Sequence, residues 1–133
     1  MNKALVSGLA VLTAENFDFF VYGHDNVVLF FSNNPALFPE SHDVAVILPE
    51  LLKRFAGRLH AALIDTTIER ELQARFRFTS WPSLVFLRRG EYLGTITGIQ
   101  DWSGFCAEFE RILALSPSEP PAFNLASACQ GVA

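Results

Sequence analysis

Apolar runs and helical stripes alternate along this chain. Residues 9–12 form a short extended apolar piece, and Phe17, Phe20 and Val21 then share one face of a helix that Thr13 can cap and that ends near Gly23. Residues 27–31 are apolar without interruption, as expected of a central strand buried on both sides. Residues 32–43 hold two prolines and three Asn or Asp residues, which predicts a loop. Leu48, Leu51, Leu52 and Phe55 then recur at i, i+3, i+4 and i+7, so a helix follows, with Pro49 kinking its first turns or marking its start.

Residues 61–64 predict another strand, and residues 67–76 a helix with Ile68, Leu72 and Phe76 inward and Glu69, Arg70 and Glu71 in solvent. Asp65 and Glu69 lie one turn apart and read as an N-cap and a solvated first turn. Residues 83–87 and 92–97 flank Arg88-Arg89-Gly90-Glu91, a tight hairpin turn in which Gly90 takes positive φ. Asp101 caps a last helix with Trp102, Phe105, Cys106, Phe109, Ile112 and Leu113 on one face. Beyond Leu115 the chain has three prolines and no periodicity, so residues 1–115 are expected to form the domain and residues 116–133 a loosely held tail. Two parallel crossover units feeding a hairpin and a helix predict an α/β fold, a mixed sheet with helices on both faces.

Charge refines this picture. From residue 4 to residue 52 there is no Lys or Arg, while Glu15, Asp18, Asp25, Glu40, Asp43 and Glu50 all fall there. From Lys53 onward nine basic residues face eight acidic ones, so the net charge of -4 belongs to the first half. Nucleic acid is excluded as a partner for want of a basic stripe, and a cationic partner stays open beside the plain reading that acidic groups keep a chain with 13 Phe soluble. No apolar stretch reaches the roughly 18 residues of a membrane span. The apolar run after Lys3 is broken by Ser7 and Gly8, so export is not expected.

Candidate chemistry is sparse. Cys106 and Cys129 are too far apart for a C-x-x-C pair; Cys106 reads as a small core residue and Cys129 as incidental exposure in the tail. His24, His42 and His60 have no ligand spacing, and no phosphate loop or nucleophile elbow is present, so no metal, cofactor or catalytic residue is expected.

The order of elements resembles the thioredoxin fold, and three local features carry the likeness over residues 9–115. FTSWPSLVF places Pro82 just before the hairpin, where that fold carries a cis-proline. RRGEYLGTITG resembles its antiparallel hairpin, and VVLFF followed by a loop and a helix with an early proline resembles the active-site bracket. Within the fold, residues 29–55, the RFRF run at 75–78, GIQDW at 98–102 and a short N-terminus resemble the HyaE/HupG family of thioredoxin-like accessory proteins for nickel-iron uptake hydrogenase.

That resemblance implies a cytoplasmic chaperone that binds the twin-arginine signal peptide of the hydrogenase small subunit, with other hydrogenase accessory proteins as further partners. It also implies that the redox dithiol is missing: Ser32 to His42 contain no cysteine, and Leu29 stands where the fold buries a carboxylate. The expected peptide-binding residues are Trp81 and Pro82, whose backbone would pair with an extended peptide, and Glu40, Asp43 and Glu50, which would meet its arginines, with Arg75 and Arg77 close by. Trp81 packing into the domain is the alternative for that side chain. A single-thiol oxidoreductase and a structural adaptor in a larger assembly are the alternative functions.

Overall fold

Val28 and Phe30 face one side of strand β2 (Asn26–Phe31) and Val27, Leu29 and Phe31 the other, and both sides are buried. An element apolar on both faces needs cover on both, which dictates three layers. In the computed structural model, which describes residues 9–32, 40–98 and 100–120, β2 is the centre of a five-stranded sheet. Its neighbours are parallel β3 (His60–Ile64) and antiparallel β4 (Ser83–Arg88). Outside them lie β1 (Ala10–Leu12) and β5 (Glu91–Thr97), giving the order β1-β3-β2-β4-β5.

Among the described residues four helices cover the sheet: α1 (Phe17–Tyr22), α2 (Glu40–Arg54), α3 (Thr66–Phe76) and α4 (Trp102–Leu113). Leu48, Leu51 and Phe55 from α2 and its end join Phe105, Phe109 and Ile112 of α4 over Val28, Phe30 and Phe86. On the opposite face Phe17 and Val21 of α1 join Ile68, Leu72 and Phe76 of α3 over Val27, Leu29 and Phe31. The hairpin turn holds Arg89 at φ 51 and Gly90 at φ 84, the pair of positive angles that matches strand twist in a two-residue turn.

Several local expectations change. Thr13 does not cap α1: its carbonyl accepts the Phe17 N–H at 3.1 Å in a turn, and the helix starts at Phe17. The helix predicted after β2 starts sooner than expected, because α2 begins at Glu40 and carries Asp43 within it and Pro49 in its interior, while residues 33–39 of the predicted loop lie outside the described residues. The helix tolerates Pro49 because one missing N–H is a local loss beside the packing of Leu48, Leu51 and Phe55. Trp102, expected inward, is 42% exposed at the first position of α4, before the helix settles on the sheet. Glu69, expected in solvent, is only 4% exposed.

The first residues of the tail are tied to the domain. The Ser118 N–H donates to the Tyr92 carbonyl at 2.9 Å, and Arg77 donates to the Pro120 carbonyl at 3.3 Å. Between α4 and the sheet, Arg88 donates to the Leu113 and Leu115 carbonyls at 2.8 and 2.9 Å. Residues 121–133, Cys129 included, lie outside the described residues.

The predicted caps at Asp65 and Asp101 form. Asp101 accepts from the Gly104 N–H at 2.7 Å, and Asp65 accepts from the Thr67 N–H at 3.0 Å and from the Thr67 hydroxyl. Those two bonds, the hydroxyl's first, hold the Asp65 carboxyl below the usual carboxylate range. A depressed carboxylate stabilises the fold above its unfolded pKa and loses that contribution as pH falls through the folded one. Asp65→Ala is therefore expected to cost about 1 kcal/mol in urea unfolding at pH 7. The difference from the native chain should shrink progressively below about pH 4; a pH-independent difference would show that the carboxylate is not the cap.

Candidate functional site

The topology gathers loops at one end of the sheet. β1, β2 and β3 run toward it and β4 starts from it, so Thr13, Ser32, Asp65, Ser83 and the Thr97–Gly98 step come together there. Helices α2, α3 and α4 begin at the same end. Between them lies the corner that leads into β4, in which the Trp81-Pro82 bond is cis.

Three hydrogen bonds fix this corner. The Gly98 N–H donates to the Pro82 carbonyl at 2.9 Å, the Ser83 hydroxyl to the Ser80 carbonyl at 2.7 Å, and the Gln73 side-chain amide to the Phe78 carbonyl at 3.0 Å. The half-buried Trp81 ring meets the Phe78 ring edge-on at 5.4 Å, and Phe78 packs on Phe31 at 4.6 Å. One portion of Trp81 thus packs into the domain, and another lines a cavity of about 330 Å³ with Thr66, Glu69, Arg70 and Gln73.

Charge divides by end of the sheet rather than by half of the chain. Glu15 and Asp18 after β1, Asp43 early in α2, Asp65 and Glu69 around the start of α3, and Asp101 before α4 all belong to the Trp81 end. Among the described residues Arg70 is the one cation with them. Lys53, Arg54 and Arg58 after α2, Arg75 and Arg77 at the end of α3, Arg88 and Arg89 in the hairpin and Arg111 in α4 belong to the other end. Arg75 and Arg77 are therefore not beside the acidic corner: Arg75 lies over the Phe17 and Phe76 rings, at 5.6 and 5.1 Å, and Arg77 reaches Pro120.

Four ion pairs, Lys53–Glu50, Arg58–Glu110, Arg89–Asp25 and Arg111–Glu108, sit at that opposite end. Hydrogen bonds from Arg58 and Arg111 hold the Glu110 and Glu108 carboxyls below their usual range. Of the predicted acidic contacts, Glu40 is the first residue of α2 and Asp43 is exposed one turn on. Glu50 is ten residues beyond Glu40, roughly 15 Å along the axis at about 1.5 Å per residue, where it pairs with Lys53 at 3.4 Å. The fold thus places Glu40 and Asp43 with Trp81 and Pro82 and removes Glu50 from them.

Sequence reasoning missed Glu69, Thr66 and Gln73, because a run of three charged residues in a helix is ordinarily solvated. It also missed the contact of His24 with His60, whose ring centroids lie 4.2 Å apart at the far end. No group of three or more His, Cys, Asp or Glu converges among the described residues. Cys106 is half-buried against the α4 side of the core.

A sheet in this order, with a cis-proline opening β4 and no cysteine between β2 and the second turn of α2, defines a thioredoxin-like domain without the dithiol. The chain belongs to the family described as hydrogenase-1 expression protein HyaE, whose model matches residues 1–105. It is 47% identical over 97 residues to hydrogenase expression/formation protein HupG of Rhizobium leguminosarum bv. viciae, covering 72% of this chain and 63% of that one. It is 45% identical over 107 residues to HoxO of Azotobacter vinelandii, covering 80% and 72%. The chain thus spans somewhat less than two thirds of the length of the Rhizobium relative.

A crystal structure of a hydrogenase expression/formation protein HupG from Rhodopseudomonas palustris CGA009 superposes with a TM-score of 0.56 at 40% identity, over 79% of this chain and 95% of that one. Thioredoxin from Plasmodium falciparum superposes with a TM-score of 0.66 at 18% identity, over 77% and 98%, a likeness of fold alone.

Proposed function

We propose that this protein is a redox-inactive, non-enzymatic accessory factor for maturation of nickel-iron uptake hydrogenase, acting in the cytoplasm. It binds the twin-arginine signal peptide of the hydrogenase small subunit, and other hydrogenase accessory proteins are further partners. The observation that carries this reading is the collection of carboxylates at the one end of the sheet that also presents the Trp81-Pro82 corner. An extended peptide pairs there by strand addition, through backbone groups, which requires no thiol. Its arginines meet Glu40, Asp43 and the cavity beside Trp81. Membership of the hydrogenase expression family supports a hydrogenase-related partner.

Calorimetric titration with the signal peptide tests this, beside a scrambled peptide and one in which both arginines are lysines. The signal peptide is expected to bind best, with affinity falling as salt rises through a Debye length of about 8 Å at 0.15 M. Replacing Cys106 with Ala and Cys129 with Ser is expected to leave the affinity unchanged. Equal binding of the scrambled peptide would sink the reading, and loss of binding with the cysteines would turn it toward thiol chemistry.

A further inference from the structure

We infer that the outer edge of β5 is a pairing surface for the same edge of a second copy of this chain, and that residues 116–120 are a strap that holds it shut. Among the described residues β5 has one neighbour, β4, so its other side is an edge. The Gly98 N–H turns to the Pro82 carbonyl, and backbone groups alternate along an extended strand, so Thr97 and Thr95 aim their N–H and C=O groups away from β4. Edges of this kind are normally blunted by a lysine, a proline, a bulge or short length. The register shift between Phe86 and Leu87 puts a bulge at Leu93, close to Tyr92, and β1 at the opposite edge is only three residues long. Residues 94–97, Gly-Thr-Ile-Thr, have none of these guards.

The strap crosses this edge from one face of the sheet to the other. It leaves the end of α4, where Arg88 holds the Leu113 and Leu115 carbonyls, and reaches the end of α3, where Arg77 donates to the Pro120 carbonyl at 3.3 Å. Between them the Ser118 N–H fills the Tyr92 carbonyl at 2.9 Å, so the edge already accepts an extended backbone. The strap itself offers little to a further strand. Pro117 and Pro120 have no N–H, Ser118 has committed its own, and Glu119 adds an exposed charge.

A second copy fits because the edge is its own complement. About a twofold axis the two strands run antiparallel, Thr95 of each copy facing Thr97 of the other, so that each facing pair closes its backbone hydrogen bonds and sets Thr beside Thr. In that arrangement the chain leaving the partner's β5 runs past Tyr92, where the strap stands. A strand edge buries less than the roughly 1,000 Å² of a lasting interface, so a strap held by two hydrogen bonds is enough to keep it shut. The carboxylates gathered at the Trp81 end, where Thr97 lies, repel their counterparts on a second copy. Salt should therefore favour this pairing, the opposite of its effect on a cationic peptide.

The test is the oligomeric state of the full chain by analytical sedimentation, native against a variant carrying Ser118→Pro and Arg77→Asn. The first change removes the donor to Tyr92. The second is too short to reach Pro120 and suits the φ of 62 at that position. The opened variant is expected to self-associate at least about tenfold more tightly than the native chain. Its association should strengthen with salt, and amide exchange at Thr95 and Thr97 should slow as its concentration rises. Adding Thr97→Pro, which removes an N–H that points outward and leaves the ladder to β4 intact, should return the variant to monomer. If the opened variant fails to fold by near-ultraviolet circular dichroism, Pro117→Gly with Pro120→Gly slackens the strap without touching the sheet and decides the matter. An opened chain that associates no more than the native one overturns the inference. Association that survives Thr97→Pro, through the uncovered Phe76 and Tyr92 rings, overturns it as well.

Discussion

Phe109→Ala is expected to destabilise the domain by about 3–5 kcal/mol, the range for removing a fully buried aromatic side chain. Phe109 has no exposed surface; its ring meets Phe86 of β4 edge-on at 4.8 Å and Phe55, just beyond α2, at 5.2 Å. The one side chain therefore joins α4, the end of α2 and the sheet, and these rigid neighbours cannot all move in to fill the hole. Set against a typical total of about 5–15 kcal/mol, the variant stands close to unfolding. The urea midpoint should fall by at least about 1 M with the slope unchanged, since slopes are about 1–3 kcal/mol/M in small domains. A loss under about 1 kcal/mol would mean that α4 does not dock through this ring.

The order of elements is legible in the sequence because two-sided strands and one-sided helices leave different signatures. VVLFF at 27–31 has no polar position at all, and β2 is central for that reason; Phe105, Phe109 and Ile112 recur with helical spacing, and α4 buries those three. The site is less legible because it depends on topology. Asp25 and Glu50 are neighbours of Asp18 and Asp43 in the acidic half of the chain, but the fold sends them to the far end, where Arg89 and Lys53 meet them. Asp65, Glu69 and Asp101 come from the balanced half and are carried to the Trp81 end by the crossovers.

Glu69 fails as a sequence reading for a geometric reason. At about 100° per residue, Ile68, Leu72 and Phe76 spread over roughly 80° of α3, and Glu69 lies only about 20° beyond Phe76. Gln73, Thr66 and Arg70 continue round the helix from there, and these are the residues that line the cavity. A stripe drawn from apolar residues alone stops one position short of the pocket.

The charge division has a second source, which sharpens what each carboxylate can do. Asp43, Asp65 and Asp101 stand at helix starts, and Lys53, Arg54, Arg75 and Arg111 stand at helix ends, as the helix dipole favours. The outer carboxylates therefore act partly on their own helices, and exposed pairs with a peptide would add about 0–1 kcal/mol each. They attract a cationic segment at long range and are screened by salt. Glu69 differs in being only 4% exposed.

Arg88→Met is expected to cost about 2–3 kcal/mol, close to what one or two charged hydrogen bonds contribute. The guanidinium donates to the Asn26 side chain at 2.9 Å and to the Leu113 and Leu115 carbonyls at 2.8 and 2.9 Å. It thereby ties the start of β2 to the end of α4, and Asn26 carries the tie onward by donating to the Arg58 carbonyl at 3.1 Å. Methionine keeps most of the hydrocarbon stem and removes all three donors, so the loss measured is that of the fork rather than of packing. The Leu113 and Leu115 carbonyls end a helix and can turn to water, which keeps the cost below the sum of three bonds. Amide exchange should quicken most at residues 113–115, where the end of α4 depends on this side chain. Peptide affinity measured well below the unfolding temperature should stay within about twofold of the native value, since 1.4 kcal/mol corresponds to tenfold and Arg88 touches nothing at the Trp81 end. A larger change in affinity, with the fold intact, would show that the two ends of the sheet are coupled.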